Sequence, residues 1–125
     1  MKKRFALSVI LLLTISSIIA QKTNPYLFEE KFDQAWQNYS LGKYSTALTF
    51  LKQLDSLQPN NAATNYKIGV CYIHSMIEKK RSIPYFEKAL LNISTKHKED
   101  LYTEKTAPVE ALFYLAKAYH LNYEF

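Results

Sequence analysis

The chain has 125 residues, which is enough for one domain at most. Of its 16 basic residues, three lie at positions 2–4, and the remaining 13 are interspersed with 11 acidic residues. Because no basic stripe is formed, we expect no nucleic-acid partner. Aromatic residues are abundant, with ten Tyr and seven Phe, whereas glycine occurs only twice. This composition favours packed helices over a sheet rich in tight turns.

The first twenty residues have the layout of a secretory signal peptide. Positions 2–4 are basic, residues 5–19 are almost entirely apolar, and Ala20 is a small residue at the expected cleavage point. The apolar run is shorter than the roughly 20 residues that a permanent membrane-spanning helix needs. We therefore predict a signal peptide over 1–20, with a retained anchor as the alternative.

A short polar lead, residues 21–27, precedes two predicted helices. Apolar residues at intervals of three and four predict the first helix over about 27–41 and the second over about 44–57. Gly42 favours the left-handed conformation that often follows a helix end, and Pro59 stops the second helix. Because few residues join these helices, we predict that they pack antiparallel.

Two further helices are predicted over about 62–75 and 81–93. Gly69 in the third helix would allow a second helix to approach its backbone closely, and Pro84 fits the first turn of the fourth. Ser82 is a plausible N-cap for the fourth helix. The buried face of the third helix is predicted to contain Tyr66, Gly69, Ile73 and Met76.

A charged segment, residues 95–108, separates these helices from a fifth. It lacks a periodic apolar pattern, and two interpretations stay open: a solvated insertion and a regulated binding loop. Pro108 then opens a helix predicted to about Leu121, whose core-facing stripe would be Val109, Leu112, Leu115, Ala116 and Tyr119.

Both helix pairs resemble the tetratricopeptide repeat (TPR), a 34-residue helix–turn–helix unit. In the first pair, Ala47, Leu51 and Pro59 resemble the small residue, the bulky residue and the terminating proline of the second TPR helix. In the second pair, the W-x2-L-G-x2-Y part of the repeat is matched by Tyr66, Ile68, Gly69 and Tyr72. The aromatic and small positions of the following helix are matched by Phe86 and Ala89. The second pair departs from the pattern by one extra turn residue and by Ser94 where proline is usual.

This resemblance implies an all-α fold of antiparallel helix–turn–helix repeats stacked as a short TPR solenoid. Residues 28–61 and 62–94 would be repeats 1 and 2, and 109–125 the first helix of an incomplete repeat 3. TPR proteins bind protein partners on the concave surface that the first helix of each pair forms. On this chain the corresponding residues are Phe32, Trp36, Tyr39, Tyr66, His74, Phe113 and Lys117.

The signal layout together with YKIGVCY and SIPYFEKAL of the second pair also resembles the N-terminal region of a group of bacterial envelope proteins. In that group TPR units precede a β-propeller and an OmpA-like peptidoglycan-binding domain, and some members belong to a secretion or gliding apparatus. The resemblance implies an exported protein of the periplasm or outer membrane that binds protein partners of the envelope. The alternative is a structural segment that anchors such a domain, and membrane contact would come only from the signal segment or from a further C-terminal domain.

Residue patterns for catalysis are weak. Two glycines at 42 and 69 do not make a phosphate-binding loop. Cys71 and His74 lie about one helical turn apart, but a metal needs three or four ligands, so we interpret Cys71 as a core residue. We predict a non-enzymatic protein with no cofactor and no bound metal.

Overall fold

The computed structural model describes residues 24–76 and 78–123. The predicted signal peptide and residues 21–23 of the polar lead lie outside the described residues. The described chain is mostly helical, and this confirms the prediction of an all-α protein. None of its helices is both long enough and apolar enough to cross a membrane. The α-helices are α1 (Leu27–Ser40), α2 (Tyr44–Leu57), α3 (Ala62–Ile73), α4 (Ser82–Ala89) and α5 (Ala111–Tyr123).

Helices α1 and α2 form a hairpin with a three-residue connection. Gly42 adopts a left-handed backbone with φ of 73°, as predicted, and the Lys43 amide donates to the Asn38 carbonyl at 2.9 Å. This geometry ends α1 and turns the chain back. The two helices share a buried seam of Phe32, Ala35, Ala47, Leu51 and Leu54.

The turn between α2 and α3 is built by two asparagines that follow Pro59. Asn60 takes a left-handed backbone with φ of 66°, and Asn61 is extended. The Asn61 Oδ1 accepts hydrogen bonds from the amides of Ala63 at 3.0 Å and Thr64 at 3.3 Å. A side-chain cap of this kind stabilises a helix start by about 1 kcal/mol.

Helix α3 is the centre of the fold, because all twelve of its residues are buried. It packs against α2 on one side and α4 on the other. The prediction that Gly69 permits close approach is confirmed: a Cβ atom there would lie 2.6 Å from Cε1 of Phe86. Met76, predicted for the buried face, lies beyond the end of α3 and is 91% exposed.

The boundaries of α4 differ from the prediction of 81–93. A 3-10 turn, Lys79–Arg81, leads into the helix, so Arg81 already has helical dihedral angles. Ser82 is therefore not an N-cap, and its Oγ donates instead to the Lys79 carbonyl at 2.5 Å. The helix ends at Ala89, before its predicted end, and residues 93–94 form a strand instead.

Two short strands close the charged segment at its base. Strand β1 (Ile93–Ser94) pairs in parallel with β2 (Ala107–Pro108), and the Ala107 amide donates to the Asn92 carbonyl at 2.8 Å. Ala107 is fully buried in the same cluster as Tyr66 and Phe86. We call the residues between the strands, 95–106, the charged loop.

Helix α5 packs against α4, and of its predicted stripe Leu115 does pack against the core. Its buried residues are Ala111 and Ala118, whereas Leu112 of the predicted stripe is 51% exposed. The prediction was only partly right because α5 is apolar on most sides, which makes the periodic pattern ambiguous. Pro108 also belongs to β2, so the helix starts three residues later than expected.

Candidate functional site

The seven residues predicted to bind a partner lie on or next to α1, α3 and α5 and differ in accessibility. Phe32 and Tyr66 are buried, at 7% and 5% exposed. Trp36 and Tyr39 are half-buried. The exposed members are His74, Phe113 and Lys117.

A series of rings leads from α1 to the end of α3. Trp36 stacks on Tyr39 with ring centroids 6.1 Å apart, and Tyr39 meets Tyr44 edge to face at 5.9 Å. Tyr44 lies flat against the His74 ring at 4.3 Å. Offset and edge-to-face arrangements of this kind stabilise ring pairs beyond simple burial. The series joins Trp36, Tyr39 and His74, which sequence analysis had named separately.

Lys117 of α5 lies near the end of this series. Partial burial lowers the pKa of His74, and the positive charges of Lys117 and Lys79 act in the same direction. The surroundings of His74, which include a second predicted residue, therefore disfavour the charged form of its imidazole. This end of the surface carries an aromatic stack beside two lysines.

A second set of rings connects α3 to α5. Tyr66 meets Tyr114 edge to face at 5.9 Å, and Tyr114 meets Phe113 in the same way at 5.8 Å. Tyr114 also stacks on Phe86 at 5.7 Å. We refer to both sets together as the aromatic face, which consists of Trp36, Tyr39, Tyr44, Tyr66, His74, Phe113 and Tyr114.

Between α1 and α3, the aromatic face encloses a lysine. The Nζ of Lys67 lies 5.8 Å from the ring centroids of Phe32 and Trp36 and 6.0 Å from that of Tyr39. Lys67 is 2% exposed. Three rings at cation–π distance form an aromatic cage around its ammonium group. Phe32, the most buried ring on α1, therefore supports the surface from beneath it.

The electrostatics of Lys67 link this cage to the charged loop. Burial lowers the pKa of Lys67 to about 8, while the carboxylates of Glu99, Glu104 and Asp100 act in the opposite direction. Glu99 also acts on both neighbouring phenols: the pKa of Tyr39 and that of Tyr66 are raised by burial and further raised by nearby groups that include Glu99. The acidic residues of the loop therefore act electrostatically on the lysine and on two phenols of the cage region.

The charged loop has an internal hydrogen-bond network centred on Glu104. Its carboxylate accepts from the Lys98 amide at 3.0 Å, the Thr106 amide at 2.9 Å and the Thr106 hydroxyl at 2.6 Å. Hydrogen bonding to Thr106 is the main reason that the pKa of Glu104 falls to about 2. A carboxylate with these partners organises the loop at neutral pH. The loop thus has a hydrogen-bonded structure of its own.

His97 ties the charged loop to the ring of Tyr66. Its Nδ1 lies 2.6 Å from the Thr106 carbonyl, and since a carbonyl only accepts, Nδ1 carries the proton. The imidazole meets Tyr66 edge to face at 6.3 Å. Its Nε2 and the Oδ1 of fully buried Asn65 have no hydrogen-bond partner among the described residues.

The titration of Lys67 gives a testable change in stability with pH. Since its pKa is about 8 in the folded chain and 10.5 as the unperturbed value, the unfolded state binds more protons between these pH values. The free energy of unfolding should then rise by roughly 1 kcal/mol from pH 7.5 to pH 9. It should be measured by urea denaturation of wild type and Lys67→Met.

The Lys67→Met variant provides the control for this rise. Cys71, whose pKa burial raises to about 12, lowers stability above pH 9 in both proteins and cancels in the comparison. Methionine keeps similar bulk against the rings, so the variant should be at least as stable at pH 7. An equal slope in both proteins would show that Lys67 is not the titrating group.

Several residues of the aromatic face and its surroundings were missed by sequence analysis. Lys67 carried a readable signal, since it is the one charged residue within the otherwise apolar or uncharged helix α3. Tyr44 was predicted only as the start of the second helix, and Tyr114 fell outside the stripe predicted for α5. The role of Glu99 depends on how the charged loop folds back, and local sequence carries no signal for that.

The pair Cys71 and His74 does not form a site in the described chain. Cys71 is buried in the core, whereas His74 is exposed and stacked on Tyr44. Within residues 24–76 and 78–123 no group of three or more His, Cys, Asp or Glu side chains is arranged to hold a metal ion.

Comparisons with protein-family models, with curated proteins and with solved structures give no match for this chain.

Proposed function

We propose that the chain is a non-catalytic scaffold that binds a protein partner through its aromatic face. The observation that carries this proposal is the joining of the predicted residues into connected sets of rings beside lysines. Trp36, His74 and Phe113 keep accessible ring area within these sets. Aromatic rings give large contact area at modest entropic cost, which suits the binding of an extended peptide or a helix.

The proposal includes a stack of TPR-like helix pairs. It is supported by the order of packing, because each helix packs on its neighbours along the chain: α1 on α2, α2 on α3, α3 on α4 and α4 on α5. It is also supported by the buried small residues Ala47 and Ala89, both fully buried in the second helix of a pair. Stacks of this type expose the first helices along one extended surface.

The proposal also places the scaffold in the bacterial envelope, in the periplasm or at the outer membrane. Its support is the signal-like layout of residues 1–20 and the resemblance of the second helix pair to envelope proteins. The partners would then be other proteins of the envelope.

Peptide selection tests the assignment of the surface. Peptides selected from a random library on the purified full chain should lose affinity at least about tenfold for Trp36→Ala, because a central aromatic anchor often carries more than 1 kcal/mol. Dissociation constants are measured by fluorescence anisotropy with labelled peptides. Circular dichroism checks that the variant keeps its helix content.

Leu91→Ala is the matched control for this experiment. Leu91 is 86% exposed, lies in the turn after α4 and takes part in none of the ring contacts described above. Its truncation should leave the dissociation constants unchanged. Equal affinity of the selected peptides for wild type and Trp36→Ala would refute the aromatic face as the binding surface.

A further inference from the structure

Helix α5 packs with one side and leaves the opposite side exposed. On the packed side Ala111 and Ala118 are buried, and Tyr114 and Leu115 contact the core. This side meets α4 and the 3-10 turn, Lys79–Arg81. Because α5 is the last of the five helices in the packing order, its outer side points away from the rest of the described chain.

The exposed side of α5 carries apolar and aromatic residues at heptad spacing. We call it the α5 stripe, and its residues follow one another at intervals of four, three, four and three: Val109, Phe113, Ala116, His120 and Tyr123. All of them are exposed, with Phe113 at 67% and Tyr123 at 62%. The Glu110 carbonyl accepts from the Tyr114 amide at 3.0 Å, so helical hydrogen bonding already begins next to Val109. This spacing is the one at which two α-helices pack along each other.

One charge of each sign lies on the same flank of the α5 stripe. Glu110 follows Val109 and Lys117 follows Ala116, so the two charges occupy the same position in successive heptads. Both side chains are exposed, and among the described residues neither forms an ion pair. Coiled coils place charges at such flanking positions, where they set the orientation and the choice of the partner helix.

A two-fold axis across the middle of α5 brings these charges together. When two copies of the stripe run antiparallel, Phe113 of each copy lies opposite Ala116 of the other, so a large side chain faces a small one. In this register Glu110 lies opposite Lys117 of the second copy, and the symmetry forms the pair twice. A parallel arrangement places Lys117 opposite Leu112 and pairs neither charge. The charges therefore favour the antiparallel arrangement.

We propose that the α5 stripe is the docking surface for a second copy of this chain, and that two copies associate through an antiparallel pair of α5 helices. Phe113 alone offers roughly 100–170 Å² of exposed surface for this contact. The whole contact is on the order of 1,000 Å², which is the lower limit for a specific interface, so the dimer is a reversible one. Each copy keeps its own Trp36, so a dimer carries two partner-binding surfaces.

Charge reversal in the full chain tests the pairing. Glu110→Lys sets two lysines opposite each other and Lys117→Glu sets two glutamates, so each change should weaken dimerisation at least about tenfold. The double variant Glu110→Lys/Lys117→Glu restores opposite charges in exchanged order, and its dissociation constant should return to within about threefold of that of wild type. Sedimentation equilibrium measures these constants at protein concentrations up to about 0.5 mM.

Mixing the two single variants gives a second readout. In a mixed pair, the two lysines of Glu110→Lys face the two glutamates of Lys117→Glu, so the mixture should form heterodimers more tightly than either variant forms homodimers. Energy transfer between dyes on the two N-termini detects the heterodimer. Glu30→Lys and Lys43→Glu are the matched controls, since both residues are exposed and lie outside α5. They should dimerise like wild type, and circular dichroism checks that every variant keeps its helix content.

Three results would overturn the inference. Wild type could stay monomeric at about 0.5 mM, which would leave the α5 stripe to a different occupant. The single reversals could dimerise as well as wild type, or mixing could fail to restore association. The inference goes beyond the proposed function and fails separately from it, although Phe113 and Lys117 belong to both surfaces. Peptide binding is read at Trp36 of α1, whereas dimerisation is read through the charges that flank α5.

Discussion

Replacement of Phe86 by alanine is expected to lower the free energy of unfolding by about 3–5 kcal/mol. Phe86 is fully buried, and its ring touches three helices: it lies against Gly69 of α3 and stacks on Tyr114 of α5 while belonging to α4. Truncation would leave a cavity where these helices meet. Because α5 buries few other side chains, it should lose protection against hydrogen exchange first.

The measurement is urea denaturation followed by circular dichroism, with Phe113→Ala as the control. Phe113→Ala removes the same aromatic ring as Phe86→Ala, but Phe113 is 67% exposed. Its truncation should cost no more than about 0.5 kcal/mol. Similar losses for the two variants would mean that Phe86 does not hold the helices together as described.

Substitution of Gly69 by valine should cost about 3 kcal/mol through overpacking. A Cβ atom at this position would lie 2.6–2.8 Å from three atoms of the Phe86 ring, which is fully buried and has no space to retreat. Valine has a slightly better helix preference than glycine, but that gain is a fraction of 1 kcal/mol. Steric conflict therefore decides the sign.

A double-mutant cycle isolates this conflict. In the Phe86→Ala background, Gly69→Val should cost much less or add stability, because the missing ring leaves room for the new methyl groups. Ala116→Val, on the exposed side of α5, controls for the helix preference of a β-branched residue. A cost for Gly69→Val that is the same with and without Phe86 would contradict the close contact.

Local sequence rules predicted most of the helical framework. The left-handed glycine at 42 is a backbone requirement that shows directly in residue type. The Asn61 cap was not predicted, although asparagine is among the residues that helix N-caps favour. Helix α2 was predicted with its observed bounds, because its apolar residues follow a clear helical period between two strong stop signals. Gly69 was read correctly for a similar reason, since a glycine inside a helix usually has a packing role.

The parts that were missed depend on contacts between distant residues. The pairing of residues 93–94 with 107–108 has no local signal, because two-residue strands are too short to show a period. The buried face of α5 was only partly right because Leu112, which is exposed, is as apolar as Leu115, which packs against the core. The cage around Lys67 could not be predicted from local sequence, because it forms only where α1 and α3 lie side by side.

The paired strands have a consequence for how this chain can change over time. They hold the ends of the charged loop next to each other, so its exposed residues 101–103 can be lengthened or exchanged with little effect on the helices, whereas His97 and Glu104 have to stay because of their contacts. Doubling a flexible loop costs only about 0.6 kcal/mol in closure entropy. The segment 101–103 is therefore the position where descendants of this sequence can diversify, or where an epitope can be grafted, with the helices retained.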